Sequence, residues 1–393
     1  MIGSHGPGAE APGRALRMSR SSTPVACARE ISVAGADTRD AAARKRVGSA
    51  SGPPRYPFGG RQLCRADASP PSALPSATEA QRDVSGSFRH EALLYSGDGD
   101  FADRVGAFVR DGVDAGEPAL VAVHPRKIEI LRRALGGSAR WVTFVDMDAL
   151  GTNPARILTT WRTFAGPHLA AGRRIRGVGE PVSPGRSAAE LVECHRHEAL
   201  LNLAFDGGGA WWLVCPYDAG ALPADVIAEA RCTHPLVWNS HSGEPSAEYR
   251  GRLAAAEPFT TPLDPPPRVE ETAFMLGDLR AIRALVAGAA RGWGLPEARV
   301  ADLILAAGEV AANSVRHGGG RGLMRVWYDG DAAVCEIRDA GYIDQPLAGR
   351  EPPESGRTGG YGLWLANQVC DLVQVRSSPA GTTIRLHVRA AAA

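Results

Sequence analysis

Residues 303–320 join a long apolar helix pattern to two polar side chains in mid-span and end in three glycines. Glu309, Asn313 and His317 are spaced four apart and so line one face of a helix. Leu305, Ala306, Ala312 and Val315 occupy much of the rest and are expected to be buried. A mostly buried helix that carries Glu and Asn in mid-span has placed costly polar groups there. Something polar should meet them. His317, in the last turn, suits a helix C-terminus, where a cationic ring is favoured, and equally a ligand contact. An isolated Glu-x-x-x-Asn is usually a solvated helix face, so its meaning depends on what accompanies it.

Two later pieces accompany it. Arg338-Asp339-Ala340-Gly341 closes an apolar strand, and residues 358–368 form a Gly-rich turn that runs into a helix. In that order, the Glu/Asn helix, the Asp-x-Gly strand end and the Gly-rich turn resemble the GHKL ATP-binding fold of histidine kinases, gyrase and anti-sigma-factor serine kinases. The anti-sigma branch is the nearest in detail. The resemblance spans roughly residues 270–390.

The resemblance implies ATP and Mg²⁺ as cofactors and gives each part a role. Asn313 would hold Mg²⁺ through its amide oxygen, a hard ligand for a hard cation. Glu309 would be the catalytic base toward an attacking hydroxyl or water. Asp339 would accept a hydrogen bond from the adenine amino group, and Gly341 would let the backbone pass close to the base. Gly359, Gly360 and Gly362 would turn backbone N–H groups toward phosphate oxygens, with Leu363 in the helix whose N-terminal dipole assists. His317 completes the set as a nucleotide contact. The sequence departs from the family at Tyr342-Ile343-Asp344, where a second glycine is usual two residues beyond Gly341. Residues 344–357, rich in Pro, Gly and Ser, read as a mobile lid.

Upstream, residues 87–243 alternate strand and helix signals. Strands are expected at 91–95, 118–123, 141–145, 175–179 and 211–215, with helices at 100–115, 126–135, 154–171, 188–205 and 223–232. Alternation of this kind argues an α/β domain with a mostly parallel sheet covered on both faces. No Gly-x-x-x-x-Gly-Lys-Ser/Thr loop is present, so a phosphate-cradling P-loop is not expected. Segments such as Arg89-His90-Glu91-Ala92, Gly179-Glu180-Pro181, His197-Glu198-Ala199 and Cys215-Pro216-Tyr217-Asp218 resemble the MEDS-type sensory domain. The resemblance implies a RecA-like module without a P-loop that senses a small-molecule signal. His90, Glu180, Glu198, Asn202 and His234 are the polar candidates for its pocket. Glu180 and Asp218 each follow a strand and are expected to share a crevice at the carboxyl ends of the strands. Cys194, His195, His197, Cys232 and His234 offer a metal-ligand set, but the first three sit on one helix and project differently. The string His-Glu-Ala-Leu-Leu occurs at 90–94, read as entering a strand, and at 197–201, read as mid-helix.

Four segments follow: a disordered tail at 1–86, the sensory domain at 87–243, a Pro-rich linker at 244–268, and at 269–390 an α+β GHKL (histidine-kinase-like ATPase) sandwich with a mixed sheet and helices on one face. The tail is rich in Ala, Gly, Ser, Pro and Arg and lacks the apolar surface to offset ordering entropy. The net charge of +1 exerts no global pull toward nucleic acid or membrane. No apolar run approaches the ~20 residues of a membrane helix. The N-terminus lacks the apolar core of a signal peptide. The seven scattered cysteines suggest free thiols in a cytoplasmic setting. The expectation is a signal-responsive anti-sigma regulatory protein. It would bind Mg-ATP and phosphorylate Ser or Thr of an antagonist protein, with a sigma factor as its other partner; a homodimer is compatible. The alternatives are a non-catalytic ATP-binding or degenerate interaction module, or a sensor histidine kinase. The last is disfavoured, because the Pro-rich linker replaces the helical pair that would carry a phosphoacceptor histidine.

Overall fold

The structure, a computed structural model, describes residues 87–238, 243–251, 263–353 and 360–390. The expected disordered tail, residues 252–262 of the expected linker and residues 354–357 of the expected lid lie outside the described residues. The N-terminal domain runs β1 (Arg89–Tyr95), α1 (Gly97–Asp114), β2 (Ala119–Val123), α2 (Pro125–Leu135), β3 (Val142–Asp146), α3 (Met147–Gly151), α4 (Ile157–Ala170), β4 (Ile175–Gly179), α5 (Ala188–Ala204), β5 (Trp211–Asp218), α6 (Ala224–Thr233), β6 (Leu236–Trp238) and β7 (Gly243–Pro245). Its seven strands form one sheet in the order β3-β2-β4-β5-β1-β6-β7. Every pairing is parallel except β6 with β7.

The sheet has a core on each face because side chains alternate along a strand. Leu93, Val121, Val178 and Val214 pack on one face with Phe101, Val105, Phe108 and Leu131 of α1 and α2. Ala92, Ala122, Ile175 and Cys215 face the other way, toward Trp161, Leu191, Leu201 and Val226 of α4, α5 and α6. Two strands, β6 and β7, add to the five expected, and β7 falls partly inside the expected linker. At three residues each, they are too short to show a period.

The C-terminal domain runs β8 (Thr272–Met275), α7 (Leu279–Gly292), α8 (Glu297–His317), β9 (Arg321–Tyr328), β10 (Ala332–Asp339), α9 (Tyr361–Val369), β11 (Leu372–Ser378) and β12 (Gly381–Arg389). Its sheet order is β11-β12-β10-β9-β8. The expected mixed sheet is corrected: every described pairing is antiparallel. The β9–β10 hairpin turns at Asp329, whose carboxylate accepts from the Asp331 N–H at 3.1 Å, an Asx turn. The three helices cover one face over a core that includes Ile282, Val286, Leu303, Val310, Ile337, Ile384 and Leu386. Leu305, expected inside, is 41 % exposed; the buried stripe of α8 runs instead through Val300, Leu303, Ala307, Val310 and Ser314.

The two domains dock through α5 and the short turn before α4. The other face of the C-terminal sheet is polar, and Gln374, Arg376 and Arg385 are nevertheless buried. Glu193 of α5 meets Arg376 of β11 at 2.8 Å, Arg196 of its own helix at 3.1 Å and Arg350 at 3.5 Å. Burial pushes the Glu193 carboxyl up, but Arg196, Arg376 and Arg350 outweigh it, leaving it below the usual carboxylate range. Glu190, which closes a capping box with Ser187 at the start of α5, also reaches Arg389 at 3.0 Å. Asn153 donates to the Asn367 carbonyl at 3.1 Å, and Arg156 donates to the carbonyls of Asn367 and Cys370 at 2.9 and 2.7 Å. Both therefore cap the C-terminal end of α9, where donors and positive charge are favoured. The described part of the expected lid is held as well. Thr159 donates to the Arg350 carbonyl, Arg162 pairs with Glu351, and Leu347 packs on the core of the first domain.

Cys194, Cys215, Cys335 and Cys370 are free and buried. Among the described residues no helix is long and apolar enough to cross a membrane.

Two stability measurements check this fold. Trp161 is 1 % exposed and tilted against Trp211 at 5.5 Å between ring centres. Trp161→Ala should cost about 3–5 kcal/mol in denaturant unfolding of the N-terminal domain. His387 is half-buried beside Gln374, and desolvation pulls its pKa down to about 4. Above the ordinary histidine value both states are neutral and the group has no effect. Between that value and about 4 the unfolded chain takes up a proton that the folded chain does not. Stability should therefore fall as pH falls through this window, by at most roughly 3 kcal/mol from this group. His387→Gln should flatten that slope.

Candidate functional site

Helix α8 carries the polar face expected of it. Glu309 and Asn313 are half-buried and His317 is exposed in the last turn. Helix α9 crosses this face at its first turn. A Cβ added at Gly362 would lie 3.0 Å from Asn313 Nδ2 and 3.0 Å from Glu309 Oε2, so glycine lets the helix start come against the Glu/Asn pair. Gly360, immediately before the helix, has φ +87°, a left-handed conformation that favours glycine. Leu363 is buried in the core beneath. Gly359 lies outside the described residues.

The end of β10 arrives at the C-terminal end of α8. Asp339 accepts from the Ser314 hydroxyl at 2.6 Å with one oxygen and from the Gly341 N–H at 2.8 Å with the other. A Cβ at Gly341 would sit 2.7 Å from the His317 carbonyl and 3.0 Å from Gly318 Cα. Only a bare backbone fits there. Thr382, opposite Asp339 across the β10–β12 ladder, donates to the Gly341 carbonyl at 2.8 Å and shares a 2.7 Å hydrogen bond with Ser377. Ser377 accepts from the Ile343 N–H at 2.8 Å, so the segment that departs from the family pattern is fixed at its start. Ser314, Thr382 and Ser377 escaped the sequence reading. Ser314 could have been found as the buried neighbour of Asn313, but the other two meet Gly341 only through strand register.

The geometry brings Glu309, Asn313 and Gly362 to one place, and Asp339, Gly341 and the end of α8 to an adjoining one. The fit to a magnesium nucleotide is good in kind: a carboxylate and an amide oxygen beside a glycine-opened helix N-terminus, and a pinned Asp where the backbone is bare. Asn313 and the first turn of α9 would hold the metal and phosphates, and Asp339 the base. Bound magnesium would supply charge neutralisation at the phosphates.

In the N-terminal domain the five pocket candidates divide. His90, Glu198, Asn202 and His234 converge and are buried, together with Cys215, which was not a candidate. Burial pushes Glu198 up, but the adjoining His234 and His90 rings outweigh it and leave its carboxyl well below the usual range. Burial and Glu198 together push the Cys215 thiol well above its ordinary value. Glu180 lies apart, at the carboxyl ends of the strands. There it accepts from Tyr95 at 2.7 Å and pairs with Lys127; burial raises its pKa against the pull of Lys127. The other metal set does not form. Cys194 Sγ points to the Pro181 carbonyl at 3.4 Å and both ring nitrogens of His195 lack a partner. Of that set only His234 belongs to the convergent cluster.

Comparison with known proteins agrees with both halves. Residues 89–235 match the family described as MEDS, the methanogen/methylotroph DcmR sensory domain, and residues 273–388 match the histidine kinase-like ATPase domain. The chain joins a MEDS sensory domain to a histidine kinase-like ATPase domain. Among solved structures, the RsbU and RsbW domains of Rv1364c from Mycobacterium tuberculosis are 19 % identical, with 30 % of this chain and 32 % of that chain covered, at a TM-score of 0.23. This chain thus spans about a third of the length of that structure. No curated protein matches.

Gly362→Val should push side-chain atoms into Glu309 and Asn313 of the ATPase domain. It should abolish ATP binding in calorimetric titration while leaving the circular dichroism spectrum unchanged. Ser314→Ala, which frees one Asp339 oxygen, should weaken ATP binding by about 10–100-fold, the scale of one hydrogen bond to a charged group.

Proposed function

We propose that the chain is a signal-responsive regulator of the anti-sigma type, in which the sensory domain sets the ability of the ATPase domain to bind Mg-ATP. The observation that carries this reading is the grip on α9. Its N-terminal turn lies against Glu309 and Asn313 at Gly362, and its C-terminal carbonyls are capped by Asn153 and Arg156 of the sensory domain. The segment leading toward α9 is held by the same domain through Arg350 and Glu351. A change in the sensory domain that shifts Asn153, Arg156 or Glu193 shifts the element that forms the phosphate end of the site. Such coupling requires the signal to favour one of two positions of α9.

In the kinase form of this proposal, Glu309 accepts the proton of a Ser or Thr hydroxyl on a small antagonist protein as the phosphoryl group transfers. Asn313 holds the metal and Asp339 selects adenine. The phosphate adds negative charge to the antagonist and releases it, leaving the ATPase domain free for a sigma factor. The order of Glu309, Asn313, Asp339 and the α9 turn, and their resemblance to the anti-sigma kinases, support this reading.

The test is calorimetric titration with ATP and Mg²⁺. The native chain should bind with magnesium dependence and Asn313→Ala should lose it; no binding by the native chain would sink the reading. Glu309→Ala should still bind ATP but fail to transfer labelled phosphate to the antagonist. Arg156→Ala, remote from Asn313 and Asp339, should change ATP affinity by about fivefold or more, the scale of an allosteric coupling. An unchanged affinity would remove the sensory domain from control.

A further inference from the structure

The cluster at the centre of the sensory domain has the features of a metal centre. His90 comes from the start of β1, Glu198 from the middle of α5, Cys215 from β5 and His234 from the residue after α6. One donor atom from each lies within 4.8 Å of all the others, and all four residues are buried. Four of the separations are resolved individually. His90 Nε2 is 3.1 Å from Glu198 Oε2 and 3.3 Å from Cys215 Sγ; Cys215 Sγ is 3.2 Å and His234 Nε2 3.4 Å from Glu198 Oε2. A tetrahedral site with bonds of about 2.0–2.3 Å has ligand-to-ligand edges of roughly 3.3–3.8 Å. Two of the four edges, 3.3 and 3.4 Å, fall in that range, and the other two, 3.1 and 3.2 Å, lie just below it.

The protons point the same way. Asn202 spends its amide N–H groups on backbone carbonyls, including that of Thr233 at 2.8 Å, so its oxygen is the atom that faces His90 Nδ1 at 3.0 Å. His90 Nδ1 therefore carries the proton and Nε2 presents a lone pair to the cluster. His234 Nδ1 faces the Ala230 carbonyl at 2.8 Å, so its proton is also on Nδ1 and its Nε2 lone pair faces inward. Two imidazole lone pairs thus converge on a carboxylate and a sulfur. Glu198 Oε1 and His234 Nε2 lack a hydrogen-bond partner. Histidine ligands held from behind by an acceptor on the second nitrogen are the usual arrangement at metal sites.

We propose that His90, Glu198, Cys215 and His234 bind one divalent d-block cation, zinc, in a closed tetrahedral site inside the sensory domain. Imidazole, thiolate and carboxylate are the donors zinc takes in such sites. Two neutral imidazoles, one thiolate and one carboxylate cancel the charge of Zn²⁺, leaving a neutral centre in a dry core. Binding releases the Cys215 proton to solvent. The site ties β1, β5 and α6 to α5, the helix whose Glu190 and Glu193 hold the ATPase domain.

The full chain should carry one zinc per chain by mass spectrometry. After chelation and titration with Co²⁺, it should show a thiolate-to-cobalt charge-transfer band and tetrahedral d–d bands. Cys215→Ser should abolish the charge-transfer band; Cys194→Ser, at a buried thiol outside the cluster, should keep it. Asn202→Ala should weaken zinc binding about 10–100-fold. Unfolding on chelation that zinc reverses also supports the site. A chain that keeps its fold yet binds neither metal, or a charge-transfer band that survives in Cys215→Ser, would overturn it.

Discussion

Glu193 is the most deeply buried of the carboxylates that join the two domains. It is 1 % exposed and faces three guanidinium groups. Taking that many charges out of water is costly, and the attraction repays it only with good geometry and further hydrogen bonds. Those bonds are present: Arg196 and Arg376 also donate to the Val375 carbonyl at 3.0 and 2.9 Å. Without the carboxylate, three cations would face one another in a buried seam. The polar face of the ATPase sheet, the segment at Arg350 and the start of α5 are held in register by this group.

Helix α5 is consequently enclosed on nearly every side. Leu191, Cys194 and Leu201 pack toward the parallel sheet, Glu190 and Glu193 turn to the other domain, and Glu198 and Asn202 enter the polar cluster. A helix buried all round shows little amphipathic stripe, and most polar residues on it find a partner, His195 being the exception. Its sequence, dense in Glu and His, is what a helix with three different neighbours requires.

Much of this was legible in the residues. The βα alternation gave the parallel sheet, and the spacing of Glu309, Asn313, Asp339 and the glycines marked the α8–β10–α9 corner before any coordinates. What stayed hidden depends on pairing across long separations. Thr382 acts on Gly341 because it sits opposite Asp339 in the ladder. Cys215 joins residues 90, 198 and 234 only once β1 and β5 are neighbours. The repeated His-Glu-Ala-Leu-Leu string illustrates the limit. Its first copy sends His90 into the cluster from a strand, and its second sends Glu198 there from a helix, because the two backbones turn adjacent side chains through different angles. The interdomain contacts were illegible altogether, since Asn153, Arg156 and Arg350 look like ordinary surface and loop residues in the sequence.

The burial of Arg376 against Glu193 of α5, and of Arg385 against the Asp264 carbonyl between the domains, also has a steric consequence. A β-sheet with helices on one side normally leaves its opposite side open to other molecules, and in this chain that side is already taken. Any protein recognised by the ATPase domain must approach over the helices or the β8 edge, or else compete with α5 for the occluded face. The sensory domain therefore governs which surfaces of the sheet remain accessible.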